Sequence, residues 1–226
     1  MIALRLGALA ALRSRDTSKL ALPLATLVLV CAATALLSRV VHRVHAVDHA
    51  LAQNFGLWFP LGAYWLFHNV TDRGRLETTV FPVLRHGGSR REALAGAALT
   101  LGGVLAAAGA GIAALSVTLT HAANDGSFVN DILRSSWVGA LGGYAYACWL
   151  SFASGFGERG RRGVFVIFDL IFGSSSAVPA LFFPRAHLGN LLGGEAPLAL
   201  SQRASSGILL LAGALLLALA LLRCPD

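Results

Sequence analysis

The chain has 226 residues, 56% of them hydrophobic and 13% charged, with a mean hydropathy of +0.68. A soluble domain carries roughly 25% charged residues, so this apolar excess excludes a single water-soluble core. The net charge of +7 does not form one basic patch; the arginines sit beside apolar runs, as they do where charge orients a membrane protein, and nucleic acid is not an expected partner.

Six stretches of about 20 residues with almost no charge fill most of the chain, each long enough for a hydrocarbon core roughly 30 Å thick. The expectation is an all-α integral membrane protein forming one transmembrane domain over residues 1–226. Residues 1–19 set Ile2, Leu4, Leu6, Leu9 and Leu12 among Arg5, Arg13 and Arg15, which predicts a short amphipathic helix lying along the interface. The apolar run after it ends without a small-residue cleavage site and is expected to be retained. That run, about 21–40, is the first predicted span.

His42, His45 and His49 follow, spaced i, i+3, i+7. On a helix they would share one face with Asp48 adjacent, a candidate transition-metal site, against the commoner alternative of interfacial histidines beside Arg39 and Arg43. No metal is otherwise expected, and His68, His86, His121 and His187 suggest nothing together. The second predicted span, about 51–70, carries Trp58, Tyr64 and Trp65, aromatics suited to interfaces. A polar segment, 71–92, leads to the third span, about 93–119, whose many Gly and Ala residues allow close helix contact.

The fourth predicted span, about 136–156, brings Gly139, Gly142, Gly143 and Ala147 onto closely spaced turns. Glu158, Arg159, Arg161 and Arg162 precede the fifth, about 163–183. There Gly173, Ser174, Ser175, Ser176 and Pro179 are expected to break the outer half, because proline removes a helix hydrogen bond. Asp169 is the one acid inside a predicted span. At about 1.5 Å per residue it lies some 9 Å from the cytoplasmic start, and pairing with Arg161, Arg162 or the headgroups is expected. The sixth span, about 206–222, is nearly all Leu and Ala.

Of the 18 lysines and arginines, thirteen fall on one side of this topology: Arg5, Arg13, Arg15, Lys19, Arg73, Arg75, Arg85, Arg90, Arg91, Arg159, Arg161, Arg162 and Arg223. Arg39, Arg43, Arg134, Arg185 and Arg203 fall on the other. The excess puts both termini in the cytoplasm. Cys31, Cys148 and Cys224 form neither a disulfide framework nor a metal knuckle. The chain has no P-loop, no H-E-x-x-H and no G-x-S-x-G, and its last span lacks the histidine an intramembrane serine protease would need, so it is not expected to be an enzyme.

The segment from Asp72 to Glu92 holds Arg73, Gly74, the Leu76-Glu77 pair, Pro82, Arg85 and then Ser89-Arg90-Arg91-Glu92. It resembles the loop between the second and third spans of ABC transporter permeases of the ABC-2 exporter type. That resemblance implies a cytoplasmic coupling helix seated in an ATP-binding subunit, with docking through Glu77, Pro82, Arg85, Ser89, Arg90, Arg91 and Glu92. The residues read alone allow a capping box, Ser89 with Glu92, or an ordinary basic loop on the inner face. The glycine- and proline-rich run over 173–197, with Phe183-Pro184 and His187-Leu188-Gly189-Asn190, looks like the same family's fifth span and its short re-entrant outer helices. A plain loop is the alternative. The chain's size also resembles the six-span haem-exporter-like permease of cytochrome c maturation.

The resemblance implies a permease subunit in the bacterial inner membrane. It would pair with a second permease copy, identical or related, and with a separate ABC ATPase subunit holding ATP and Mg; this chain itself would bind no cofactor, and membrane lipid would surround it. By resemblance alone, Phe55, Trp58, Phe59, Phe172 and Ser175 line the path. The alternative function is a non-transporting membrane anchor or scaffold subunit of a larger complex.

Overall fold

The computed structural model describes residues 2–12, 18–42, 44–71, 75–76, 79–80, 89–122, 127–156 and 161–223. Every regular element among them is helical, and none is a strand. In chain order these are α1 (Ile2–Leu12), α2 (Ser18–Val41), α3 (Ala46–Gln53), a π-helical turn (Asn54–Trp58), α4 (Phe59–Val70), α5 (Arg90–Thr120), α6 (Phe128–Ser154) and α7 (Arg161–Phe172). A 3-10 turn (Val178–Phe182), α8 (Pro184–Leu191), a second 3-10 turn (Pro197–Ala199) and α9 (Gln202–Leu222) complete the chain.

Three of these helices, Lys19–Val41 within α2, α5 and α9, are long and apolar enough to cross a membrane. Their outward faces support that reading. Leu29, Leu37 and Val40 on α2 and Leu211, Leu215 and Leu222 on α9 are all largely exposed, as large apolar side chains are where lipid rather than water meets them.

The centre of the molecule is the α5–α6 pair. Gly109 and Gly139 face one another so closely that a Cβ on either would fall inside the other's carbonyl, and a Cβ on Gly143 would do the same at Leu105. Gly139 and Gly143 are four residues apart, so the missing side chains form one flat stripe along which two backbones touch. Around this seam pack Leu101, Leu105, Ile112, Tyr146 and Leu150, with Phe55 and Phe59 from the second helical run. The N-terminal helix uses the same device: a Cβ on Gly7 or on Gly96 would overlap the backbone of Ala93 or Leu4, so α1 lies in backbone contact with the start of α5. Its Leu4 and Leu9 side chains stay exposed.

The helical boundaries differ from the apolar runs in ways the side chains explain. The second run begins at Ala46, before the expected 51, and continues without interruption through the π-turn to Val70. The fourth begins at Phe128 rather than 136, because a helix continues past the end of an apolar run when its polar residues, here Asn130, Asp131 and Arg134, face outward or into clefts. The fifth ends at Phe172. Its 12 residues cover about 18 Å, short of the 30 Å hydrocarbon core. Residues 173–176 then bend, and the chain continues in short helical pieces as far as residue 199.

Candidate functional site

The break after α7 and the π-turn in the second helical run face each other. In the π-turn, the extra residue per turn widens the helix, and buried Asn54 anchors it: its Nδ2 donates to Ser116 Oγ at 2.9 Å on α5 and to Cys31 O at 3.2 Å on α2. The turn carries Phe55 into the core and leaves Gly56 facing Arg185. On the other side, Gly173 lets the chain leave α7 at once. A Cβ there would lie 2.8 Å from Arg185 Cβ and closer still to Asp169 O.

Asp169 holds this corner. It is fully buried; its Oδ2 accepts from the Tyr146 hydroxyl at 2.6 Å and its Oδ1 from the backbone N–H of Arg185 at 3.1 Å. The carboxylate therefore caps the first turn of α8 from a neighbouring helix, where the N-terminal dipole favours negative charge. The expected pairing with Arg161 or Arg162 does not occur. Arg162, itself buried, donates to Thr71 Oγ1 at 2.6 Å and to Phe67 O at 3.5 Å, closing the end of α4. Arg161 donates to Phe156 O at 2.7 Å. The helix phase decides this, since Asp169 faces α6 and α8, away from Arg161 and Arg162.

Between these parts lies a cavity of about 260 Å³, walled by Phe55 and Gly56, by Gly173, Ser174 and Ser175, and by Arg185. Glu195 and Leu192 also line it. Arg185 Nη1 donates to Leu170 O, while Nε and Nη2 point toward the gap left by Gly56, 3.7 and 3.6 Å from the place its Cβ would take. Of the five path residues named from resemblance, the fold brings Phe55 and Ser175 to this cavity. Phe59 lies behind it in the core, against Phe55 and Tyr146, and Trp58 is half-buried against the same core. Phe172 stacks on Phe183 with ring centres 5.9 Å apart.

A second buried polar group joins α8 to α9. His187 Nε2 donates to Leu181 O at 2.9 Å, and its Nδ1 is 3.1 Å from Ser205 Oγ. Asn190 Nδ2 donates to both Ser205 Oγ, at 2.8 Å, and Leu200 O, at 3.0 Å, and Gln202 Nε2 returns to Asn190 O at 3.1 Å. Because a carbonyl only accepts, Nε2 carries the proton, and Ser205 donates to Nδ1 while accepting from Asn190. Burial lowers the His187 pKa below its ordinary 6.5, which keeps the imidazole neutral and this pattern intact.

The expected docking residues Glu77, Pro82 and Arg85 lie outside the described residues. Ser89 occupies the N-cap position of α5 and Glu92 its first turn, but the Ser89 side chain makes no cap bond, so the capping box is formed in position only. Arg91 and Glu92 are exposed and Arg90 half-buried.

The histidine face is corrected. Helix α2 ends at Val41 and α3 begins at Ala46, so His42, His45 and His49 share no helix; His42 stacks on His49 with ring centres 4.0 Å apart, and His45, at φ 59°, turns to Asp48 at 3.4 Å. Among the described residues no group of three or more His, Cys, Asp or Glu side chains is placed to hold a metal.

Tyr146, Asn190 and Ser205 give no signal in sequence, since their contacts form only when separate helices meet. Arg185 had one available cue, a lone cation directly after Phe183-Pro184 in a run otherwise without Asp, Glu, Lys or Arg from 173 to 194. No protein-family model, curated protein or solved structure matches the chain.

Proposed function

We propose that the chain is the permease subunit of a bacterial ABC exporter, spanning the inner membrane six times with both termini in the cytoplasm. It works as a dimer with an identical or related copy, and a separate subunit supplies the ATP and Mg chemistry. The observation that carries the reading is the fifth helical segment: α7 stops at Phe172 and the chain folds back through Gly173, Ser174 and Ser175 against the π-turn of the second run. This is the element order that the resemblance implies, an interface helix, a long basic segment between the second and third spans, and a fifth span broken on its outer side.

In this reading ATP binding closes the partner subunits, which push on residues 79–92. Rigid helices carry the push, because the glycine seam between α5 and α6 lets the pair move as one body. Arg162 fastens the end of α4 to the start of α7, so the second and fifth segments move together and change the outer chamber.

The test is a mild-detergent pull-down from the native membrane. A stoichiometric ATPase subunit that is lost on Arg90→Glu supports the reading and locates the contact. If no ATPase accompanies the chain and Arg90→Glu leaves its complex intact, the chain is a scaffold subunit and the permease reading fails.

A further inference from the structure

We infer that the chamber at Arg185 binds a zwitterionic headgroup, an anionic phosphate or carboxylate joined to a nearby ammonium. The inference goes beyond transport and holds whether or not an ATPase docks. Three features carry it.

The first is the orientation of the guanidinium. Arg185 has one fixed position, because its backbone N–H is held by Asp169 and its Nη1 by Leu170 O. The remaining edge, Nε with Nη2, is the fork that pairs with two oxygens of a carboxylate or phosphate. Among the described residues nothing accepts from that edge, which faces the space left by Gly56.

The second is the opposite charge. Glu195 lines the same chamber at an exposed position, and among the described residues no ion pair joins it to Arg185. A ligand carrying both signs satisfies both residues. A simple anion would meet Arg185 but be repelled by Glu195.

The third is the apolar part of the chamber's wall. Phe55, Ala52 and Leu192 are apolar, and Ile171 and Phe172, directly before the lining residue Gly173, are exposed. The volume admits a headgroup and not a whole lipid, so any acyl chains would run outside along α7. The same chemistry is offered by a bilayer lipid or by a small soluble zwitterion.

Calorimetric titration of the purified full chain in a sugar-headed detergent tests this with four probes: dihexanoylphosphatidylethanolamine, dihexanoylphosphatidylglycerol, O-phosphoethanolamine and inorganic phosphate. The ethanolamine lipid is expected to bind about tenfold more tightly than the glycerol lipid, the difference made by one charge-assisted contact. Glu195→Gln, at an exposed position with no fold to disturb, erases that preference at unchanged melting temperature. Arg185→Lys, which keeps the charge and loses the fork, weakens both lipids, and Gly56→Leu, which fills the space before the fork, blocks both. O-phosphoethanolamine binding as tightly as the lipid supports the site with a soluble source; preference for the lipid supports it with a bilayer source. Equal affinity for the two lipids, inorganic phosphate binding as tightly as O-phosphoethanolamine, or a Glu195→Gln variant that keeps the preference would each overturn it.

Discussion

Asp169 shows how one buried charge organises a corner of the fold. Two donors on different helices converge on its oxygens, so Asp169→Ala, which removes both acceptors, leaves the Arg185 N–H and the Tyr146 hydroxyl without their partner. The variant is expected to lose about 1–3 kcal/mol, the cost of an unsatisfied buried donor. Tyr146→Phe, which removes one donor and leaves the carboxylate with the other, should lose less. Thermal unfolding of the detergent-solubilised protein ranks the two. The acid itself was visible in the sequence, but its partners were not, because Tyr146 is 23 residues away and Arg185 is 16. Proximity along the chain favoured Arg161 and Arg162, and side-chain direction around α7 ruled against them.

His187 gives a pH dependence with a definite sign. The unfolded chain takes up a proton near pH 6.5, while burial keeps the folded imidazole neutral below that value. The unfolded state therefore binds more protons in acid, and the stability contributed by the neutral His187–Ser205–Asn190 group, complete above pH 6.5, is lost as the pH falls below it. His187→Gln should flatten the fall of melting temperature between pH 7 and pH 5. An unchanged slope would mean that other groups set it.

At the scale of elements, the glycines divide into two kinds that composition cannot separate. Gly109, Gly139 and Gly143 stand where a Cβ would enter a neighbouring backbone, whereas nothing lies within 4 Å of the place a Cβ would take on Gly103 or Gly111, which share α5 with Gly109. Gly139→Ala is expected to push α5 and α6 apart and cost about 1–3 kcal/mol or more, as overpacking does. Gly103→Ala and Gly111→Ala should stabilise by up to about 1 kcal/mol through helix propensity alone. The same thermal assay separates them. The sequence announced close packing in the third and fourth apolar runs by their density of small residues, and the fold agrees. Which glycines make the contact depended on the phase of one helix against the other.

The fifth segment was the most legible element. Glycine, three serines and a proline within seven residues predict a break, and α7 ends one residue before them. The π-turn was not legible: residues 54–58 read as ordinary helix, and the widening depends on Asn54 reaching α2 and α5 at once.

For the whole molecule, the exposed leucines of α2 and α9 and the three long apolar helices fit a bilayer environment. The proposed topology is testable by single cysteines placed on a background lacking Cys31, Cys148 and Cys224. Asp131→Cys and Asp48→Cys should react with an impermeant maleimide from outside intact cells, and Arg161→Cys and Arg91→Cys only after permeabilisation. Labelling of Arg161→Cys from outside would overturn the arrangement of both termini in the cytoplasm.

The sequence by itself determined the helical class, the apolar character and the place where the fifth helix fails, since each follows from local composition and the hydrogen-bonding needs of the backbone. The tertiary structure decided which polar groups meet. Asp169 with Tyr146, His187 with Ser205, and Arg185 with the gap at Gly56 are contacts between separate helices, fixed by helix phase and close backbone approach, and no linear pattern encodes either.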